Sequence, residues 1–375
     1  MPYRDFFVEY PPGAFVVFTP PALLPDGWYL HAFKASMALF GLAMLFVAGL
    51  VLARLGAGAC RLYGTLFALA LTPLAVGPVL LNTYDLWPAL LVAAGLAALL
   101  YGRDVLSFGL LGAAFAAKLY AIALLPLFCL WLWRRDRSLA RPLAGLGVVS
   151  LALVAPFAML GWGGLVDSVD AQAGRGLQIE SPPAAFLLAA HRLGTYEAEV
   201  TAGATAALSR DMAGGLPDAL VIAATLAQVA AVALVALLFA RGRPEGERLV
   251  LAAAATLAGF LAFTRFLSPQ YVIWLLPVVP LVAGRSGVAA AVALGAALVL
   301  GRLWFFHYRD VFGLDGIVWL VVLRDGLLAG LYGVLVVALL RTKTPSSSNS
   351  VAQEPLRSSS ARGTAVVDAA ERRSR

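Results

Sequence analysis

The stretch from residue 3 to residue 13 sets two carboxylates and an arginine among aromatic residues, ahead of a Pro-Pro-Gly sequence. Asp5 or Glu9 could take a proton from a substrate hydroxyl, and Arg4 could bind an anionic group. The two prolines stiffen the backbone and fix where the following segment begins. The same composition also fits a plain interfacial loop with a surface Arg–Asp pair, so the residues alone leave both interpretations open.

Other polar side chains that could contact a substrate stand at the ends of apolar runs or in one long polar segment. Besides Arg4 and Glu9, these candidates are Asp85, Lys118, Arg175, Gln178, Glu180, Arg265, Gln270 and Arg309. The cations among them could bind an anionic group, arginine through its planar fork and lysine through a compact charge. We expect no metal site, because no cluster of metal ligands stands out. Whether the reaction depends on a metal stays open.

Several of these candidates also have an ordinary structural explanation. Lys118 lies in an apolar run, where a charged side chain is either functional or reaches toward the interface. Asp85 stands where an acid often begins a helix. The polar residues between 175 and 180 also fit a solvated loop.

Two arginines, Arg302 and Arg324, lie inside apolar runs near their outer halves. They could pair with Asp310 or Asp325, or reach an internal cavity. The turn that holds Arg309 has too few ligands for a metal and is interpreted as a polar loop that could touch a phosphate.

The composition excludes a soluble protein. Of the 375 residues, 61% are hydrophobic and 13% are charged, and the mean hydropathy is +0.85. Soluble domains carry about 25% charged residues. The net charge of +7 does not indicate nucleic-acid binding, because the basic residues fall in short clusters between apolar runs.

The apolar runs predict an all-α, polytopic transmembrane bundle with about 10–11 membrane segments, since about 20 residues cross the hydrocarbon core. The predicted spans are 30–53, 62–81, 86–101, 143–161, 217–240, 248–264, 270–284, 286–304 and 316–340. The run 105–133 is too long for one ordinary helix and too short for two full ones. We expect two short helices, or a re-entrant pair, that break near Lys118.

Charge in the turns predicts the orientation, because cytoplasmic loops are enriched in lysine and arginine. The basic residues that we place in the cytoplasm are Arg54, Arg61, Arg103, Arg134, Arg135, Arg137, Arg141, Arg241, Arg243, Arg248, Arg285, Arg341 and Lys343. The segments that we place outside are 1–29, 82–85, the surroundings of Lys118, 162–216, 265–269 and 305–315. A single crossing through 105–133 would break this pattern, which favours the interrupted arrangement.

The chain divides into an external loop, a bundle and a tail. Residues 1–29 form the first external loop, and residues 30–340 form the bundle with a long external loop at 162–216. A short amphipathic helix at 183–193 is expected on the membrane surface. Residues 341–375 have no apolar periodicity and are predicted to be a disordered cytoplasmic tail.

Four stretches resemble glycosyltransferase family 87, the polyprenyl-phosphate-mannose-dependent membrane mannosyltransferases of the GT-C superfamily. Residues 2–13 resemble the first external loop of that family. Residues 117–126 (Ala-Lys-Leu-Tyr leading to Leu-Pro), 178–181 (Gln-Ile-Glu-Ser) and 266–277 (Phe-Leu-Ser-Pro-Gln-Tyr leading to Trp-Leu-Leu-Pro) fit it too. The resemblance runs from residue 2 to about residue 285, and the order and spacing of the stretches carry it.

The resemblance implies a GT-C fold and an inverting hexosyltransferase, with Asp5 as the catalytic base. The donor would be a polyprenyl phosphate that carries a hexose, with mannose as the expected sugar. The acceptor would be a glycolipid or a cell-envelope glycan. No cofactor and no nucleic acid are implied, and the membrane lipids are the remaining partners. The site would lie on the non-cytoplasmic face of the plasma membrane.

One departure from the family concerns the beginning of the chain. The family has a transmembrane helix before the first external loop, and none precedes Met1. We expect that an upstream helix is missing through a late start codon or truncation. A short N-terminus drawn across by the first span is the alternative.

Two other functions stay open on the sequence. A multi-pass lipid or solute transporter would fit the apolar runs, although no internal repeat between the halves is visible. A catalytically inactive relative would also fit. The concentration of charged residues at the predicted outer surface favours an outward-facing enzyme.

Overall fold

Helices make up most of the structure, a computed structural model that describes residues 1–202, 209–307 and 316–342. In chain order they are α1 (Phe15–Ala22), α2 (Tyr29–Arg54), α3 (Ala59–Ala70), α4 (Thr72–Val76), α5 (Val79–Asn82), α6 (Leu86–Leu100), α7 (Asp104–Ala117), α8 (Leu125–Trp133), α9 (Ala140–Ala173), α10 (Pro182–Arg192), α11 (Gly215–Ala240), α12 (Gly246–Ala262), α13 (Gly284–Phe306) and α14 (Val318–Arg341). Short 3-10 helices cover Pro12–Ala14, Leu119–Leu124, Pro269–Leu275 and Val279–Leu281. Arg309, Asp310 and the predicted tail from residue 343 onward lie outside the described residues.

Long apolar helices confirm the all-α, polytopic prediction. Within the described ranges, six helical stretches are long and apolar enough to cross a membrane: α2, α3 with α4, α9, α11, α13 and α14. The shorter α6 and α12 are buried along most of their length, between α2, α7, α11 and α14. The outer helices expose large apolar side chains such as Phe46, Met159 and Ile222, as a lipid-facing surface requires.

The predicted break at Lys118 is present. Lys118 has extended backbone (φ −161°, ψ 126°) between the end of α7 and the 3-10 helix Leu119–Leu124. Helix α8 follows directly, with Pro126 in its first turn, where the missing N–H does no harm. Ala117 and Tyr120 beside the break are buried in protein, although Leu119 is exposed, and burial is a condition under which irregular backbone is tolerated at membrane depth.

Three predicted segments differ from the structure. The span 270–284 is a pair of 3-10 helices instead of an α-helix, because its prolines interrupt the α-helical hydrogen-bond ladder, which hydropathy does not detect. The span 62–81 is interrupted at Gly77, whose φ is 66°. Helix α9 bends at Gly161 and continues to Ala173, so the long loop begins later than residue 162.

The long loop between α9 and α11 contains a small antiparallel sheet. Its strands are β1 (Leu177–Gln178), β2 (Glu199–Ala202) and β3 (Arg210–Ala213), in the order β1-β3-β2. Helix α10 follows β1 and agrees with the helix predicted at 183–193. Its buried face packs mainly against α14, so protein covers a face that the sequence suggested would meet the membrane surface.

The basic turns come together at one end of the bundle. Arg54 donates to the carbonyl of Leu100 at 3.1 Å, and Arg134 donates to the carbonyl of Gly242 at 2.9 Å. At the same end, Arg61 forms a 2.5 Å ion pair with a glutamate at the start of α12. The charge pattern therefore grouped these turns correctly, while the side of the membrane that they face stays a prediction.

Candidate functional site

The N-terminal stretch lies against a glycine face of α9. Tyr3 is buried, and its ring contacts the ring of Phe157 with 5.6 Å between centroids. A Cβ at Gly161 or Gly164 would overlap the backbone of Tyr3. The two glycines therefore allow the backbone of this stretch to approach the helix, and the bend at Gly161 lies at the point of contact.

Asp5 and Arg4 form a surface pair. The Nε of Arg4 donates to Asp5 Oδ1 at 2.8 Å, and both side chains are about half exposed. The amino group of Met1 also donates to the Asp5 carboxylate. These hydrogen bonds, from Arg4 first, lower the pKa of Asp5 to about 2. Asp5 is therefore ionised at any physiological pH, and its role as base stays a prediction.

Glu9 ties the N-terminal stretch to the end of α9. Its carboxylate forms an ion pair with Arg175, and both side chains are mostly buried. Gln172 donates its amide N–H to the carbonyl of Glu9 at 3.1 Å. The Arg175 guanidinium also interacts with the hydroxyl of Tyr271. The two predicted contacts Glu9 and Arg175 are thus neighbours.

Asp85 and Lys118 form a buried ion pair between the start of α6 and the end of α7. Lys118 Nζ lies 2.5 Å from Asp85 Oδ1, and the Asp85 side chain is 1% exposed. The indole N–H of Trp274 donates to the same oxygen at 2.6 Å. The second oxygen of Asp85 is buried and accepts no hydrogen bond from the described residues.

Aromatic rings surround this pair. Lys118 Nζ lies 4.7 Å from the ring centroids of Tyr84 and Tyr271 and 5.1 Å from that of Trp274. Trp274 is stacked between Tyr120 at 4.0 Å and Tyr271 at 4.3 Å. Since cations are attracted to aromatic faces, the rings hold the ammonium in place.

The sequence did not predict this ring cluster, although Tyr120, Tyr271 and Trp274 lie in the stretches that resemble the family. The feature of the sequence that could have indicated it is the spacing of Tyr271 and Trp274, which are three positions apart. In a 3-10 helix, residues i and i+3 lie in line, so the two rings stack. Because the segment was predicted to be α-helical, the alignment was not expected.

Arg175 and Arg265 share one aromatic ring. Their guanidinium carbons lie 5.2 Å and 5.9 Å from the ring centroid of Phe266. Arg265 also donates to the carbonyl of Ala173 at 2.7 Å, and no carboxylate of the described residues pairs with it. Two neighbouring guanidiniums, one without an acid, can bind the oxygens of a phosphate.

Gln178 and Glu180 lie beside this pair but are buried. The backbone N–H of Gln178 donates to the carbonyl of Arg265 at 3.0 Å. The two carboxylate oxygens of Glu180 accept from Trp304 Nε1 at 2.6 Å and from Gln178 Nε2 at 3.3 Å. Gln270 is partly exposed on the 3-10 helix that also carries Tyr271.

The two arginines inside apolar runs have different partners. Arg324 is fully buried and pairs with Asp325 at 2.8 Å, one of the partners that the sequence left open. Arg302 donates to the carbonyl of Leu74 in α4. In the parts of the chain that the structure describes, no three His, Cys, Asp or Glu side chains form a group that could hold a metal ion.

The arrangement brings together candidates that are far apart in the sequence. Glu9, Asp85, Lys118, Arg175 and Arg265 surround Tyr84, Tyr271, Trp274 and Phe266. The cluster can bind an anion against aromatic surface. Asp5 and Arg4 lie on the adjoining N-terminal stretch, at the protein surface.

Comparison with known proteins gives one family match. Residues 7–269 match the family model described as glycosyltransferase family 87, which is more than half of the chain. Comparison with curated proteins gives no match. The matched region contains all five charged residues of the cluster and ends before α13. The sequence resemblance is confirmed, and the chain belongs to glycosyltransferase family 87.

Proposed function

We propose that this membrane glycosyltransferase moves a hexose, most simply mannose, from a polyprenyl phosphate to a glycolipid or cell-envelope glycan. Membership of the family supports the transferase activity. The observation that carries the choice of donor is the pair of guanidiniums, Arg175 and Arg265, on the ring of Phe266. The planar guanidinium of an arginine can donate two parallel hydrogen bonds to the oxygens of a lipid phosphate.

In the proposed reaction, the acceptor oxygen attacks the sugar C1 and the bond from C1 to the phosphate oxygen breaks. The configuration at C1 inverts, and the polyprenyl phosphate leaves as an anion. Charge grows on the leaving oxygen, so cations fixed beside it lower the barrier. Arg175 and Arg265 supply them, whereas the charge of Lys118 is already paired with Asp85.

The base in this proposal is Asp5, which receives the proton of the acceptor hydroxyl. Its hydrogen bonds to Arg4 keep it ionised but make it a weak base. The proposal therefore requires that substrate binding draws Arg4 away from Asp5. The donor phosphate is an anion that could pair with Arg4 in place of Asp5. Donor binding would then also activate the base.

Transfer of labelled mannose from polyprenyl-phosphate-mannose, in membranes that contain the full chain, tests the donor site. We expect Arg265→Ala to raise the donor KM by on the order of ten- to a hundredfold, since a hydrogen bond between charged groups contributes about 1.5–3 kcal/mol. Arg137→Ala is the matched control, because Arg137 lies in a surface pair at the opposite end. An unchanged KM in Arg265→Ala would remove the proposed phosphate site.

Asp5→Asn tests the base in the same assay. It keeps the size of the side chain and removes the proton acceptor, so kcat should fall by about a hundredfold or more. Glu9→Gln is the comparison, because Glu9 is held by Arg175 and should affect donor KM instead. Full activity of Asp5→Asn would assign the base elsewhere. Counterflow of a lipid-linked sugar with no transfer product would support the transporter.

A further inference from the structure

Glu180 is the centre of a buried polar group outside the ring cluster. Its side chain is 3% exposed, and both of its carboxylate oxygens accept hydrogen bonds. Its backbone carbonyl accepts a hydrogen bond from Arg324, which also pairs with Asp325. A buried carboxylate is costly unless hydrogen bonds satisfy it, and the hydrogen bonds to Glu180 offset part of that cost.

Two of the partners of Glu180 belong to helices that lie beyond the family match. Trp304 belongs to α13 and Arg324 to α14, while the match ends at residue 269. The contacts therefore fasten the loop between α9 and α11 to the last two described helices. No residue of the ring cluster takes part in them.

The same loop carries the arginines of the proposed phosphate site. Arg175 stands two residues before β1, and Gln178 within β1 hydrogen-bonds to the backbone of Arg265. Arg265 returns a hydrogen bond to the carbonyl of Ala173. The anchor at Glu180 thus follows Arg175 by a few residues, and hydrogen bonds to and from Arg265 join the same segment to the second guanidinium.

We propose that Glu180 is a positioning residue, which Trp304 and Arg324 hold in place so that Arg175 and Arg265 stay fixed for the donor phosphate. This inference rests on the proposed function, in that these two arginines bind the donor. In this role Glu180 does not contact the substrate, and its two carboxylate oxygens accept from Trp304 and Gln178. The sequence had suggested that Glu180 contacts a substrate, whereas the burial of Glu180 favours the positioning role.

The amide of Gln178 makes a conservative variant possible. Its Oε1 is buried and accepts no hydrogen bond from the part of the chain that the structure describes. In Glu180→Gln, the new carbonyl can accept from Trp304 and the new N–H can donate to Gln178 once that amide has turned over. Glu180→Ala instead leaves the N–H groups of Trp304 and Gln178 without their present acceptor.

The experiment uses the full chain in membranes, with polyprenyl-phosphate-mannose as the probe. Donor KM and kcat are measured for Glu180→Ala, Glu180→Gln and Trp304→Phe, together with backbone hydrogen exchange over residues 174–180. We expect Glu180→Ala to raise donor KM about tenfold or more and to speed exchange, with a smaller change in kcat. Trp304→Phe should do the same to a lesser extent, and Glu180→Gln should restore both values.

Two results would overturn the inference. The first is wild-type KM and exchange in both Glu180→Ala and Trp304→Phe. The second is equal loss of activity in Glu180→Gln and Glu180→Ala with exchange unchanged, which would mean that the carboxylate acts on the substrate directly. Arg265→Ala separates this inference from the proposed function. If exchange is faster in Glu180→Ala but donor KM keeps its wild-type value in both Glu180→Ala and Arg265→Ala, the phosphate site is refuted. If exchange is faster and donor KM is unchanged in Glu180→Ala but donor KM is raised in Arg265→Ala, the anchor is refuted.

Discussion

Replacing Lys118 by methionine tests how far the buried ion pair at Asp85 supports the fold. Methionine has nearly the same length and no charge, so the change removes the 2.5 Å contact with Asp85 and leaves the packing against the rings. Asp85 is then a 1% exposed carboxylate whose described donor is the indole N–H of Trp274. The charge must stay buried, because Asp85 lies between α5 and α6 under the aromatic cluster.

The size of the effect follows from that burial. Removing one partner of a buried ion pair costs about 3–5 kcal/mol, because the other charge remains without compensation. Lys118 is 12% exposed, so water offers little relief, and the lower end of the range is a minimum estimate. About 3 kcal/mol corresponds to a change of more than a hundredfold in the folding equilibrium.

The assay is the half-life of the folded protein in detergent at a fixed temperature, since membrane proteins often unfold irreversibly. Lys118→Met should shorten it strongly. The double variant Lys118→Met with Asp85→Asn should recover most of the loss, because an asparagine oxygen can still accept from Trp274. Lys34→Met is the matched control, as Lys34 forms no ion pair within the described ranges. Equal stability of Lys118→Met and wild type, or a double variant worse than the single one, would refute this reasoning.

Two further predictions use other features. Gly164→Ala should detach the N-terminal stretch and lower stability and activity, since its Cβ would overlap the carbonyl of Tyr3. Gly163→Ala is the control, because its Cβ meets no described atom within 4 Å. This control should resemble wild type in the same half-life and transfer assays. Burial raises the pKa of Glu180 from 4.5 to about 7 against the opposing charge of Arg324, so loop docking is most stable below pH 4.5 and weakens as pH rises toward 7. Local opening at 174–180, from hydrogen exchange corrected for intrinsic rates, should increase about tenfold between pH 6 and pH 8, and an equal slope in Glu180→Gln would contradict this.

The sequence predicted the break at Lys118 because two independent patterns agreed. The run 105–133 had the wrong length for whole spans, and the arginines after it had to stay with the other basic turns. Each pattern is local and depends on counting residues and charges. The helical class and the family follow from the same kind of information.

The sequence did not predict the 3-10 segment or the anchor at Glu180. Hydropathy records that residues 270–284 are apolar, and it does not record that their prolines remove N–H donors. Glu180 and its partners Trp304 and Arg324 lie more than a hundred residues apart, and no periodicity links them. A buried acid can be distinguished from a loop acid only when the helices that cover it are in place.

The segment from Pro269 to Leu281 has a consequence for how the protein enters its membrane. Its backbone carbonyls are not all satisfied locally: Pro280 accepts from the hydroxyl of Thr65 at 3.2 Å, and Leu281 accepts from Arg61 at 2.6 Å. A segment with unsatisfied carbonyls is unstable alone in hydrocarbon. We therefore expect that during biogenesis this segment settles after α3, made much earlier on the ribosome, stands beside it and supplies the donors of Arg61 and Thr65.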